Sequence, residues 1–326
     1  MRRIAALTLL LIAAAASGCG DAGSADGDGT RPLTLALDFQ PNAVHAGIYM
    51  AVDRGLDEEH GIDLEIRVPS SSTDSIKLLA AGRADASIVD IHDLGLAHER
   101  GADLVGIGAL VQRPLAAVIA TPDVHRPREL EGKRVGVTGL PSDDAVLRAA
   151  VEADGGDYDE VRRTTIGFSA VPSLAAGRVD AVVTFWNAEG VALRRRGVPT
   201  REFRVDRYGA PRYPELVVAT TRDRLRDEPD LLLDLIAALD AGTRAALDER
   251  PAAVEQIAAA SDSPTPLVRA QLDAVAPALR PPLVLRPATL RAWAAFDARF
   301  GILDQAPDID RLFSPSFATA GGNGEP

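Results

Sequence analysis

Two nearly identical segments of seven residues constrain the fold of this chain more than any other feature. Residues 80–86 read AAGRADA, and residues 175–181, which begin 95 positions later, read AAGRVDA. Each segment places a glycine at the end of a helical pattern, where glycine commonly ends helices, and an aspartate at the start of an apolar strand. Two such copies indicate two lobes built in the same way.

The residues around both segments alternate short apolar strands with longer amphipathic helices. In the first half, strands are predicted over residues 33–37, 62–68, 86–89 and 104–111, with helices over 46–53, 75–81 and 93–100. In the second half, strands are predicted over 118–121, 134–137, 161–167 and 179–184, with helices over 141–153 and 170–176. This rhythm predicts an α/β fold in which each lobe has a largely parallel sheet with helices on both faces.

The rest of the chain sets the expected domain limits. A strand over 215–220 precedes a long segment, 222–326, that is almost entirely helical in pattern. A folded body of about 300 residues fits two lobes better than a single core. We expect lobe 1 to comprise 32–118 plus 222–318, lobe 2 to comprise 119–221, and 319–326 to be a disordered tail. These limits predict a clamshell in which two segments of the chain join the lobes and form the hinge.

The N-terminus indicates where the protein resides. Arg2 and Arg3 precede an uncharged apolar run, 4–16, which is too short to span a bilayer and is typical of a signal peptide. Cys19, the only cysteine, follows small residues and resembles a bacterial lipobox. We expect a signal peptide over 1–18, acylation of Cys19 and a flexible tether over 19–31. The alternative is an ordinary cleaved signal peptide followed by an incidental cysteine.

Several function classes are excluded by composition and motifs. A net charge of −12 argues against a nucleic-acid partner. A single cysteine excludes an internal disulfide and a cysteine-based metal cluster. Gly106 and Gly108 lack the third glycine of a dinucleotide-binding loop, and the chain has no Gly-x-Ser-x-Gly hydrolase motif.

Rings, amides and carboxylates gather where the predicted strands end, although aromatic residues make up only 4% of the chain. Ligands of open α/β sheets bind at these carboxyl ends, and this set suits a flat, nitrogen-rich ligand. The candidate ligand-binding residues are Phe39, Asn42, His45, Tyr49, Asp90, Asp93, Ser142, Trp186, Asn187 and Glu189. Structural roles remain open for some of them: Ser142 as a helix N-cap, His45 in a turn, and Phe39 and Tyr49 in the core.

The segment DFQPNAVHAGIYMA, residues 38–51, resembles the D-W/F-x-P-N-x-x-H-x-G-x-Y opening of the thiamine-precursor-type (THI5/NMT1-like) periplasmic-binding proteins. GADLVGIGALVQRPL, GLPSDDAVLR and FWNAEG resemble later segments of that family in the same order, so the resemblance covers roughly residues 33–247. It implies the type II periplasmic-binding-protein fold and a small heterocyclic ligand delivered to an ABC importer. It also implies that Phe39, Asn42, His45, Tyr49, Trp186 and Glu189 line the ligand cleft, with Phe39 where many members have tryptophan.

One branch of the family is an enzyme that makes the thiamine pyrimidine from pyridoxal phosphate and a histidine of its own chain. By resemblance, its Schiff-base lysine and its histidine match Val89 and Asp93 here, and valine has no amine with which to form a Schiff base. We therefore expect a binding protein without a cofactor rather than an enzyme. A metal-binding alternative would use His45, His92 and Asp93, but it leaves the aromatic residues and Asn42 without a role.

The expected binding mode places a heterocycle, most simply a thiamine pyrimidine precursor, between Phe39 or Tyr49 and Trp186. Glu189 and Asn187 would bond its amino and ring-nitrogen edge, and Asp90 or Asp93 a polar substituent. We expect a monomer, anchored through lipid on Cys19, that delivers its ligand to an ABC permease and its ATPase. Riboflavin, another heterocycle or a sulfonate is the alternative ligand within the same fold.

Overall fold

A computed structural model of the chain describes residues 29–70 and 74–320. The expected signal peptide, Cys19 and most of the expected tether lie outside the described residues. Part of the polar loop before the helix at residue 74 also lies outside them. Among the helices that the structure describes, none is long and apolar enough to cross a membrane.

Within the described residues, the strands form two sheets of five strands, one for each lobe. The strands are β1 (Arg31–Ala36), β2 (Ile62–Arg67), β3 (Ala86–Asp90), β4 (Leu104–Ala109), β5 (Ala116–Ala120), β6 (Arg134–Val137), β7 (Arg162–Thr165), β8 (Ala181–Phe185), β9 (Arg201–Arg204) and β10 (Leu216–Thr221). The order is β2-β1-β3-β10-β4 in the first sheet and β7-β6-β8-β5-β9 in the second. The two α/β lobes predicted from the sequence are confirmed.

Helices cover both sheets. They are α1 (Ala46–Asp53), α2 (Leu56–Glu59), α3 (Asp74–Ala80), α4 (Ile91–Glu99), α5 (Pro141–Ala153), α6 (Ala170–Ala175), α7 (Glu189–Arg195), α8 (Arg222–Asp227), α9 (Pro229–Asp248), α10 (Arg250–Ser261), α11 (Thr265–Val275), α12 (Pro287–Arg299), α13 (Ile309–Leu312) and α14 (Pro315–Ala320). Short 3-10 turns lie at Ala43–His45, Pro127–Leu130, Tyr158–Glu160, Val205–Arg207 and Ala276–Leu279. Because α14 continues to Ala320, the first two residues of the expected disordered tail are helical.

The repeated seven-residue segment forms the same junction in both lobes. Gly82 and Gly177 adopt φ values of 64° and 65°, which are left-handed and favour glycine. In the first lobe the Asp85 carboxylate accepts the Thr34 N–H at 2.7 Å. In the second lobe the Asp180 carboxylate accepts the Arg134 N–H at 2.8 Å. Each aspartate therefore fastens a helix–strand turn to the neighbouring strand, which explains why the sequence repeats.

The sheets are mixed, so the prediction of largely parallel sheets is wrong for the strands that join the lobes. β1 runs parallel to β2 and β3, whereas β10 runs antiparallel to β3 and β4. Likewise β6 runs parallel to β7 and β8, whereas β5 runs antiparallel to β8 and β9. β5 and β10 each enter their sheet directly from the other lobe. They lack the crossover helix that a parallel neighbour needs.

These two strands also move the lobe limits from those expected. β5 starts at Ala116 and lies wholly in the second sheet, and β10 lies in the first sheet although it ends at Thr221. The expected lobe limits at 118/119 and 221/222 are therefore displaced from the observed ones. The chain crosses between the two sheets at 110–115 and again at 208–215. The two crossings touch, because the Glu215 N–H donates to the carbonyl of Val111 at 3.1 Å.

Apolar side chains fill both faces of the sheets. Ile88 packs in one hydrophobic cluster and its neighbour Val89 in the other. Ile119 and Val118 divide in the same way in the second sheet. Successive strand residues point to opposite faces, so each sheet is buried on both sides and its edge at the strand ends remains for a ligand.

α1 and α9 approach each other closely through glycines. A Cβ atom at Gly47 would lie 2.8 Å from the Cα atom of Thr243, and one at Gly242 would lie 2.8 Å from the backbone nitrogen of Ala51. No ordinary Cβ contact is that short. The glycine in the HAGIY stretch is therefore required for helix packing, which fixes the helix that follows the first strand end.

Candidate functional site

A cavity lies between the lobes at the carboxyl ends of β1, β3, β6 and β8. Its empty space amounts to about 840 Å³, a volume that includes the part open to solvent. The residues that line it are Asp38, Phe39, Asn42, Ser75, Ile76, Val89, Asp90, Asp93, Ala116, Thr138, Leu140, Ser142, Asp143, Val146, Phe168, Val183, Thr184, Phe185, Ala188, Glu189, Glu215 and Leu216. Both lobes contribute, so a ligand there would contact both.

Three of the contacts between the lobes lie around this cavity. The rings of Phe39 and Phe168 pack edge to face, with centroids 4.3 Å apart and planes at 65°. The Ser142 hydroxyl donates to the Asp93 carboxylate at 3.1 Å. On the side of the C-terminal helices, the amide of Gln271 donates to the carbonyl of Ala188 at 3.2 Å. The structure therefore describes the lobes in a closed arrangement.

The cavity wall is strongly acidic. Among the described residues, six carboxylate side chains line it, and no lysine, arginine or histidine does. They are Asp38, Asp90, Asp93, Asp143, Glu189 and Glu215. Where these groups are ionised, they are buried charges without a cationic partner in the wall, so the wall suits a ligand that brings positive charge or N–H donors.

The first strand end is held by a compact hydrogen-bonded turn. The Asn42 side chain accepts the Val44 N–H at 3.1 Å, and the Asn42 N–H donates to Nδ1 of His45 at 3.2 Å. With Nδ1 as an acceptor, Nε2 carries the proton and donates to Asp38 at 2.8 Å. His45 is thus fully buried and orients the Asp38 carboxylate that lines the cavity.

Asp93 and Asp143 face each other from opposite lobes. Burial, and then the negative charge of Asp143, raises the pKa of Asp93 to about 7, although the bond from Ser142 opposes the shift. Asp143 accepts the Thr138 N–H and hydroxyl, each at 2.6 Å, and the Gly139 N–H at 3.1 Å. Burial nevertheless raises its pKa to about 6. The pair therefore holds protons at a pH where exposed aspartates do not.

Three further carboxyl groups complete the acidic wall. Burial raises the pKa of Glu189, which accepts the Phe185 N–H at 3.3 Å. Burial also raises the pKa of Asp90 well above its usual value, with the charges of Asp93 and Glu215 adding to the shift. Burial raises the pKa of Glu215 to about 8. Perturbed acids in a cavity are a common mark of a functional site.

Six of the ten residues predicted from the sequence line this cavity. They are Phe39, Asn42, Asp90, Asp93, Ser142 and Glu189. Ser142, however, is not the N-cap of α5, because Leu140 holds that position and the Ser142 hydroxyl bonds to Asp93 instead. The N-cap is therefore two residues before the one expected, and Pro141 takes the first helical position, where proline is favoured.

The other four predicted residues lie outside the cavity lining. His45 acts through Asp38, and Tyr49 packs against the apolar core. Trp186 is 4% exposed, donates through Nε1 to the carbonyl of Pro114 at 3.2 Å, and has the Arg204 guanidinium 3.9 Å above its ring. The expected stacking of a ligand on Trp186 therefore does not match its position here.

Asn187 is the fourth, and its position is unusual. It is fully buried, and among the described residues neither its amide nitrogen nor its amide oxygen has a hydrogen-bond partner. Phe185 lines the cavity, and Trp186 turns away from it, as successive residues at a strand end do. Ala188 and Glu189 then return to the cavity as α7 begins.

The position of His92 bears on the metal-binding alternative. His92 lies outside the cavity lining, fully buried, with Nδ1 2.7 Å from Asp297 and Nε2 3.1 Å from the Tyr213 hydroxyl. Among residues 29–70 and 74–320, no group of three histidine, cysteine or acidic side chains could hold a metal ion. His45, His92 and Asp93 are therefore not arranged as the metal-binding alternative requires.

The sequence-based candidate set lacked several lining residues. Phe168 and Phe185 supply rings, and Thr138 and Asp143 form the hydrogen-bonded turn before α5. All four follow predicted strands, so their position after a strand end could have identified them as lining residues. Glu215 gave a weaker signal, since it is a single carboxylate at the head of an apolar strand.

Comparison with known proteins identifies the family. A family model described as NMT1/THI5 like matches residues 42–254. The chain belongs to this family. The resemblance drawn from the sequence motifs is thus confirmed.

Relatives of this NMT1/THI5-like protein include a binding protein and an enzyme. The formylaminopyrimidine-binding protein of Halalkalibacterium halodurans is 32% identical over 235 residues, which is 71% of each chain. The 4-amino-5-hydroxymethyl-2-methylpyrimidine phosphate synthase of Schizosaccharomyces pombe is 25% identical over 173 residues, 51% of this chain and 48% of the enzyme.

A solved structure supports the fold. The periplasmic aliphatic sulphonate binding protein of Escherichia coli superimposes with a TM-score of 0.70 at 16% identity, covering 87% of this chain and 92% of that one. The type II periplasmic-binding-protein fold expected from the sequence is confirmed.

Proposed function

We propose that this NMT1/THI5-like protein is the substrate-binding subunit of an ABC importer and captures a small aminopyrimidine related to thiamine. The observation that carries the proposal is the cavity between the lobes, which has six carboxylates and no basic side chain among its described lining residues. A 4-aminopyrimidine supplies what such a wall lacks, namely N–H donors and a ring nitrogen that can take a proton. The name of the relative from H. halodurans agrees with this class of ligand.

The flat ring of the ligand would stack on phenylalanine side chains rather than on the indole of Trp186. Phe39, Phe168 and Phe185 line the cavity from both lobes, and a ring between them would bury its faces. Glu189 is then our candidate acceptor for the polar edge of the ring, and Asn42, Asp90, Asp93 and Ser142 are the candidates for its substituents. Apolar burial at roughly 25 cal/mol per Å² would supply much of the affinity.

The acidic wall argues against the sulfonate alternative. A sulfonate carries a permanent negative charge, which would face carboxylates without a compensating cation among the lining residues. The synthase alternative is disfavoured because Val89, which lines the cavity, stands where the resemblance places the Schiff-base lysine. We therefore propose a binding role without catalysis or cofactor.

Location and partners follow from the sequence and the family. We propose a monomer anchored outside the cell membrane through lipid on Cys19, with the permease and ATPase of an importer as its partners. Metabolic labelling with palmitate tests the anchor. Wild-type protein should carry the label and the Cys19→Ser variant should not, and equal labelling of both would contradict the anchor.

The ligand is tested by thermal shift and calorimetric titration of the purified protein. The compounds are 4-amino-5-hydroxymethyl-2-methylpyrimidine, formylaminopyrimidine, thiamine, riboflavin and an alkanesulfonate. A bound aminopyrimidine should raise the melting temperature, because it binds only the folded state. The Glu189→Gln variant should bind it roughly tenfold or more weakly, the usual effect of losing a charged hydrogen bond.

The matched control is Glu255→Gln, an exposed change of the same chemistry on α10. It should leave affinity and melting temperature unchanged. A shift with riboflavin or the sulfonate, and none with an aminopyrimidine, would overturn the proposed ligand class.

A further inference from the structure

Glu215 occupies the point where the two crossing segments and the cavity meet. Its backbone N–H donates to the carbonyl of Val111, and its own carbonyl accepts the Ile91 N–H at 3.0 Å. Its carboxylate oxygen Oε2 accepts the Leu115 N–H at 2.9 Å. Side chain and backbone of one residue thus tie the second crossing to the first crossing and to the start of α4.

The second carboxylate oxygen of Glu215 has no such partner. The side chain is 0% exposed and lines the cavity, and Oε1 has no hydrogen-bond partner among the described residues. Buried polar atoms are nearly always hydrogen-bonded, and leaving one unpaired is costly. Since Oε2 is fixed on Leu115, Oε1 is the part of Glu215 that remains for a ligand.

The surroundings restrict which ligand atom can meet Oε1. Asp90 lies beside Glu215, because Leu216 pairs with Asp90 in the β3–β10 register. Asp206 and Asp297 add negative charge from the 3-10 turn at 205–207 and from α12. A ligand acceptor at Oε1 would lie close to these negative charges, whereas an N–H donor would satisfy Oε1.

We propose that Glu215, ionised when the ligand is bound, accepts an N–H of the ligand's exocyclic amino group on Oε1, and that it thereby selects amino over oxo heterocycles. A ring nitrogen donates only in some tautomers and protonation states, whereas an exocyclic amino group donates in all of them. An oxo group at the same ring position presents an acceptor to an acceptor, and such a mismatch rejects analogues strongly. The inference rests on the proposed function, since it needs an aminopyrimidine in this cavity.

The test compares two probes in the full-length protein. They are 4-amino-5-hydroxymethyl-2-methylpyrimidine and its 4-oxo counterpart, titrated calorimetrically into wild-type, Glu215→Gln and Glu255→Gln proteins. The titrations are made at about pH 9, because burial raises the pKa of the Glu215 carboxyl group to about 8 in the ligand-free protein. In Glu215→Gln the amide carbonyl can keep the Leu115 N–H, so the NH₂ group takes the place of Oε1. The variant should bind the amino probe at least about tenfold more weakly, with the amino-to-oxo preference lost or reversed. Glu255→Gln should keep the wild-type ratio.

The ratio separates recognition from a structural effect, because a loosened hinge would weaken both probes by the same factor. An unchanged amino-to-oxo ratio in Glu215→Gln would overturn the inference, even if Glu189→Gln still weakened the amino probe and so supported the proposed function. Failure of wild-type protein to bind the amino probe would overturn both.

Glu215→Asp serves if Glu215→Gln does not fold. It keeps the charge but withdraws the carboxylate by one methylene, and it should weaken the amino probe. Wild-type affinity of Glu215→Asp for the amino probe would contradict the inference.

Discussion

The buried acids make the empty protein less stable as the pH rises, and Glu215 provides the clearest test. Burial raises its pKa from 4.5 to about 8. A group whose folded pKa lies above its unfolded pKa contributes stability at low pH. That contribution is lost as the pH rises through the folded value. The free energy of unfolding should therefore fall between pH 5.5 and pH 7.5.

The size of the effect follows from proton linkage. Across this interval the folded protein holds the Glu215 proton and the unfolded chain does not. The loss is therefore ~1.4 kcal/mol per pH unit, or about 3 kcal/mol in total. For a chain of this length that corresponds to roughly 5 °C in Tm. Asp93, Asp143 and His92, with pKa values raised to about 7, about 6 and about 9, act in the same direction.

The assay is urea denaturation and thermal melting, followed by circular dichroism at pH 5.5 and pH 7.5 without ligand. The Glu215→Gln variant cannot ionise and should lose about 3 kcal/mol less than wild type over this interval. Glu255→Gln, whose carboxylate is exposed, should lose as much as wild type. Equal losses in wild type and Glu215→Gln would refute the reasoning about the buried carboxyl group.

Two further substitutions test structural assignments. Trp186→Phe removes the Nε1 bond to Pro114 and should lower stability by about 1 kcal/mol while leaving ligand affinity within about twofold of wild type. A large loss of affinity at unchanged Tm would restore Trp186 as a ligand contact. Gly47→Ala forces a Cβ against the Thr243 backbone and should lower the free energy of unfolding by about 1–3 kcal/mol in urea denaturation. Wild-type stability would show that α1 and α9 can separate without cost.

Local patterns carried most of the fold. α1 and β6 begin and end where the sequence predicts, and α5 spans the predicted residues 141–153. The direction of β5 and β10 was not accessible in this way. Strand propensity reports that a segment is extended and buried, but the pairing direction depends on how the chain passes between the lobes.

The candidate site shows the same limit at the level of single side chains. Strand ends could be located, so Phe39, Asp90 and Glu189 were found. Whether a residue one position further along faces the ligand depends on the local turn, and there the aromatic residue most conspicuous in the sequence, Trp186, faces the protein. Glu215 was missed because its side chain bonds to Leu115 in the other crossing segment, and no residue near Glu215 in the sequence indicates that contact.

The central positions of β10 and β5 have a consequence for biosynthesis. β10 lies between β3 and β4, so the first sheet lacks an inner strand until the whole second lobe has been made. The second lobe is one uninterrupted stretch, from β5 to β9, whereas the first is assembled from both ends of the chain. A chain truncated within the second lobe would therefore leave the first sheet split, with the edges of β3 and β4 exposed for aggregation.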